Sequence, residues 1–92
     1  MISQRKMSQI DAVAMAIEVT GALAAWQEAL ERFLLDSGLT PDTVRQAAAS
    51  PGFLASVLDH VASDEALLID IADRIGMHPA RIAEARAILS SS

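Results

Sequence analysis

Closely spaced helix stop-and-start signals limit what this chain can fold into. Gly38-Leu39-Thr40-Pro41, Ser50-Pro51, Ser63-Asp64 and Gly76-Met77-His78-Pro79 each carry a helix terminator, an N-cap residue or a proline suited to the first helical turn. The segments between them keep helical apolar spacing. Leu30, Phe33 and Leu34 fall on one face, then Val44, Ala47 and Ala48, then Phe53, Leu54, Val57, Leu58 and Val61. Leu67, Leu68, Ile71, Ala72 and Ile75 make the next stripe, and Ile82, Ala85 and Leu89 the last. Connections this short force successive helices to pack as neighbours. The expected fold is all-α: a compact orthogonal or antiparallel bundle of five or six short helices.

Composition agrees. Among 92 residues there are 18 Ala, one Trp, two Phe and no Tyr. Ala favours helices, whereas strands draw on the aromatic and β-branched types that are sparse here. The lack of Cys excludes a disulfide scaffold or a Cys-based zinc site, and 52% hydrophobic residues exclude a disordered chain. With 12 acidic against 7 basic residues, a polybasic nucleic-acid arm is excluded too.

The first helix is read from Ser8, as N-cap, to Ala25. Arg5 and Lys6 precede an apolar stretch from Ile10 to Ala25, and Ala22-Leu23-Ala24 resembles a signal-peptidase site. Asp11 and Glu18 interrupt that stretch, and charge there is costly to insert in a bilayer. An amphipathic helix with Ile10, Val13, Ile17, Gly21 and Ala24 on one side fits better. No uncharged apolar run approaches the ~18–20 residues of a membrane span. A cytoplasmic protein is expected, with residues 1–7 a flexible tail, 8–89 one helical domain and 90–92 a frayed end. Helical spacing continues through Leu23, Trp26, Leu30, Phe33 and Leu34, so residues 8–37 read equally well as one helix or two.

Pro51-Gly52-Phe53-Leu54-Ala55-Ser56-Val57-Leu58-Asp59-His60, followed by Asp64-Glu65-Ala66-Leu67-Leu68, forms a recognisable pattern with three other pieces. These are Arg32-Phe33-Leu34, Gly38-Leu39 and Val44-Arg45-Gln46-Ala47-Ala48. Together they resemble the alphaproteobacterial domain of unknown function 3572 family, over roughly residues 21–89. Where that family tends to have an acidic break between helices, this chain has Trp26-Gln27. The resemblance implies a small helical bacterial protein and carries no catalytic residues to transfer.

The junctions beginning at Gly38 and Gly76 align at an offset of 38 residues. The second, preceded by Ile71-Ala72-Asp73-Arg74-Ile75, looks like the turn of a helix-turn-helix DNA reader. In that reading the helix from Pro79 enters the major groove, with Arg81 at base edges and Arg74 on phosphate. DNA affinity rests on neutralised phosphates, and a chain of net charge −5 repels them. A helix C-cap followed by a newly capped helix explains the same residues with no ligand.

Asp59, His60 and Asp64 lie close across a tight turn and suggest a metal site, but a full ligand set needs three or four convergent residues. Helix capping accounts for them better: Ser63 caps the following helix, and Asp59 accepts hydrogen bonds from its free N–H groups. Asp70 and Asp73 lie one turn apart, like an acid–base pair. The spacings Glu28–Arg32, Arg32–Asp36 and Asp70–Arg74 instead suggest ion pairs on a solvated face, each worth about 0.3–0.5 kcal/mol. No nucleophile elbow or glycine-rich phosphate loop occurs, and no catalytic residue, cofactor, metal or small-molecule ligand is expected.

Met15, Val19, Ala22 and Trp26 lie on the side of the first helix opposite Ile10, Val13 and Ile17. A helix apolar on two sides is either central to the bundle or shared with a partner. Met15, Val19 and Trp26 are the candidate interaction surface, Trp being a frequent anchor. The expected role is a non-enzymatic module that binds itself or another protein, with a DNA-binding regulator using residues 71–89 as the alternative.

Overall fold

A computed structural model describes residues 7–40, 42, 43, 46 and 50–90. Five helices are described: α1 (Gln9–Ala25), α2 (Gln27–Ser37), α3 (Pro51–Ala62), α4 (Glu65–Ile75) and α5 (Pro79–Ser90). The backbone is also helical at Asp42, Thr43 and Gln46. The chain is an all-α bundle, with no strand among the described residues. Val44, Ala47 and Ala48, read above as one side of a further helix, lie outside the described residues. Its cap is visible, however, because Thr40 Oγ1 accepts from the Thr43 N–H at 3.2 Å.

Local chemistry explains most helix ends. Ser8 and Asp11 form a reciprocal capping box: Ser8 Oγ accepts from the Asp11 N–H at 3.1 Å, and Asp11 Oδ2 from the Ser8 N–H at 3.3 Å. Gly38 closes α2 at φ 73°, a left-handed conformation where a Cβ is strained. Ser50 Oγ caps α3 through the Phe53 N–H at 3.2 Å. Gly76 closes α4 at φ 69°; the Met77 N–H donates to the Ala72 carbonyl at 2.9 Å and the Gly76 N–H to the Asp73 carbonyl at 3.2 Å. That pair of bonds is the Schellman arrangement. His78 then starts α5, its Nδ1 accepting from the Ala80 N–H at 3.2 Å.

Two expectations about these ends are corrected. The N-cap of α4 is Asp64, whose Oδ1 accepts from the Leu67 N–H at 3.2 Å. Ser63 instead ends α3, with its hydroxyl donating back to the His60 carbonyl at 3.1 Å. The domain also reaches one residue further than Ser8, because Met7 is buried and its N–H donates to Glu84 Oε2 at 3.2 Å.

Residues 8–37 form two helices. Trp26 leaves the helix at φ −105°, ψ 95° and serves as both the C-cap of α1 and the N-cap of α2. Its N–H donates to the Leu23 carbonyl at 3.1 Å, and its carbonyl accepts the first bond of α2 from the Leu30 N–H at 2.9 Å. Neither glycine nor proline causes this break.

Helix α1 packs against all four other described helices, and α3 packs against α5. Ala12, Met15, Ala16, Val19 and Leu23 form the buried side of α1. They meet a core that includes Phe33, Leu54, Val57, Leu58, Val61, Ile71 and Ile82. Burying a Leu, Ile, Val or Phe side chain stabilises by about 1.5–3 kcal/mol relative to exposure. Phe33 and Phe53 meet edge to face, ring centroids 6.0 Å apart, which ties α2 to α3. Among the described residues the fully buried side chains are all apolar.

Candidate functional site

The placement of α1 reverses the expected interaction surface. Met15 and Val19 are core residues, 5% and 0% exposed, and offer nothing to a partner. Trp26 is half-buried and packed against the core. The opposite side faces solvent: Ile10 is 79% and Ile17 55% exposed, with Ala14, Gly21 and Ala24 exposed between and beyond them. The reason is competition between two apolar sides of one helix. Ala12, Met15, Ala16, Val19 and Leu23 make a continuous inward ridge, which leaves the other apolar side of the helix to solvent.

Two residues assigned above to rival roles lie together. The Arg74 guanidinium stacks over the Trp26 ring, 4.1 Å from its centroid, within cation–π range. This contact links the α1–α2 break to α4. Arg74 therefore makes no ion pair with Asp70, and neither Glu28–Arg32 nor Arg32–Asp36 forms one among the described residues. Exposed pairs at these spacings gain too little to hold long side chains in place.

The other arginine of the DNA reading is also engaged. Arg81 Nη1 donates to Glu84 Oε1 at 2.9 Å, on the same face of α5. A carboxylate paired with the proposed base-reading arginine opposes contact with nucleic acid.

Asp59, His60 and Asp64 do not converge, and no group of three metal-ligating residues occurs among those described. Asp59 does not reach the start of α4 as expected. Its Oδ1 accepts from Arg86 Nε at 2.9 Å and Nη2 at 2.6 Å, joining α3 to α5. Asp64 is used by the α4 cap. His60 lies against Phe33 with ring centroids 5.1 Å apart, its Nδ1 3.8 Å from Asp36 Oδ2 and its Nε2 buried without a hydrogen-bond partner. No local signal marks the Asp59–Arg86 or His60–Asp36 approach, since each joins separate helices.

A cleft of about 280 Å³ opens where the N-termini of α2 and α4 meet. Trp26, Glu28, Ala29 and Arg32 line one side, and Asp64, Ala66, Leu67 and Asp70 the other. Its electrostatics are mixed. Two helix N-termini and Arg32 favour an anion, while Glu28, Asp64 and Asp70 favour a cation.

A family model matches residues 9–92, covering the five described helices, and is described as a protein of unknown function (DUF3572). The chain belongs to this family. No curated protein and no solved structure shows a match. DUF3572 membership assigns no role to any residue. Within this DUF3572 chain no described helix is long and apolar enough to cross a membrane.

Proposed function

We propose that the protein is a non-enzymatic interaction module of the cytoplasm whose docking surface is the outward side of α1. The observation that carries this reading is the exposure of Ile10 and Ile17, two turns apart on one helix face, with only apolar or small residues along the line between them. Contiguous exposed apolar surface rimmed by polar residues is the kind of surface through which small domains bind partners. The face is also separate from the core ridge, so occupying it requires no rearrangement of the bundle.

The test compares the wild type with an Ile10→Ser/Ile17→Ser double variant. Both are used as tagged baits in native lysate and examined alone by analytical ultracentrifugation, with circular dichroism confirming equal helicity. The expected result is a stoichiometric protein, or a second copy of the chain, held by the wild type and lost from the variant. A wild type that sediments as a monomer and recovers the same proteins as the variant would remove the reading.

A further inference from the structure

We infer that the occupant of the α1 face is a basic amphipathic helix of another protein; this rests on the interaction reading above and names its partner. Ile10, Ala14, Ile17, Gly21 and Ala24 are separated by four, three, four and three residues, and all five are exposed. That alternation has an average period of 3.5, the seam along which one helix packs on another. A flat surface or an extended strand would not follow such a line. Gly21 adds room for a close approach, since a Cβ built there meets nothing within 4 Å.

Charge selects among helical partners. Asp11 and Glu18, seven residues apart, flank the seam along one edge, while Val13 and Thr20 flank the other. Helix α1 contains no Lys, Arg or His. Asp11 Oδ2 is held by the capping box, and Glu18 makes no ion pair among the described residues. A partner with Lys or Arg at two positions about 10 Å apart along its axis would complement this edge. A second copy fits less well. Antiparallel pairing that sets Ile17 against Ile17 brings the two Glu18 side chains together, and parallel pairing sets both acids against neutral Val13 and Thr20. The net charge of −5 adds repulsion between copies.

Two synthetic helical peptides of about three heptads test this, both with a Leu/Ala seam in four-three spacing, one flanked by Lys and the other by Glu. Fluorescence anisotropy should show the Lys-flanked peptide binding the wild type, with affinity falling as salt rises. Ile10→Ser/Ile17→Ser should weaken it by at least about tenfold, and Glu18→Gln by about threefold. Leu35→Glu, on the exposed surface of α2, should leave it unchanged. The Glu-flanked peptide should not bind. Equal binding of both peptides, no binding of the Lys-flanked one, or full binding by the seam variant would overturn the inference. Concentration-dependent association of the wild type that the seam variant abolishes would also overturn it, in favour of a second copy, while leaving the interaction reading intact. A monomer that binds neither peptide and no cellular partner would end both.

Discussion

Replacing glycine by alanine should have opposite effects at different positions in this chain, and the sign follows from the backbone. Gly21 lies inside α1 with an ordinary helical φ, is exposed, and has nothing within 4 Å of an added Cβ. Alanine there meets no steric cost and gains little burial, so helix propensity decides the outcome. Glycine is about 0.8–1.0 kcal/mol worse than alanine in a helix interior, so Gly21→Ala should stabilise by about 0.5–1 kcal/mol. In a domain of this size that corresponds to a rise in Tm of about 3–6 °C. Gly38 and Gly76 also have open space around an added Cβ, but their φ values are 73° and 69°. The left-handed region costs a non-glycine residue about 1–2 kcal/mol, so Gly38→Ala and Gly76→Ala should destabilise by about 1 kcal/mol each. Thermal and urea unfolding followed by circular dichroism measures all three, with an unchanged urea slope confirming that only stability moved. A Gly21→Ala midpoint at or below the wild type would refute the reasoning, as would a neutral Gly76→Ala.

Three further outcomes follow from named contacts. Phe33→Ala removes a ring that is 1% exposed and touches both Phe53 and His60, and it should cost about 3–5 kcal/mol in urea unfolding. Asp64→Ala should cost about 1 kcal/mol through loss of the α4 cap, whereas Ser63→Ala should change stability by only a few tenths of a kcal/mol. In a double-mutant cycle, Asp59→Asn and Arg86→Met should couple by less than about 1 kcal/mol, because both side chains are roughly half exposed, and the coupling should shrink in high salt.

Helix ends were legible wherever a short polar side chain, a proline or a glycine acts on its own backbone. Ser8, Thr40, Ser50, Gly38 and Gly76 all behave as their types dictate, and the family pattern spans the same helices. The misplaced α4 cap shows the limit of such reading. Ser63 and Asp64 are both good caps, and only the geometry of the turn decides that Asp64 faces the Leu67 N–H while Ser63 turns back to the His60 carbonyl. The break at Trp26 had no local signal, because helical spacing runs through it. At the bend the indole meets a residue 48 positions away in sequence, the Arg74 guanidinium. The same limit hid the Asp59–Arg86 bridge.

The orientation of α1 was the least legible feature and matters most for function. Its residues are apolar on two sides, so periodicity identifies a helix without saying which side turns inward. Inspection of residue size does not decide it either, since Ile10 and Ile17 are larger than the Ala12 and Ala16 that are buried. What decides is the fit of the whole bundle. Small residues at Ala12 and Ala16 on α1, Ala72 on α4 and Ala85 on α5 are all essentially inaccessible, which is the signature of helices brought close together. The consequence is a helix that already touches each of the other four described helices and still turns two isoleucines to solvent. Its remaining apolar surface has no further helix to meet among the described residues. A partner from outside the chain is the arrangement that would cover it without disturbing the ridge beneath.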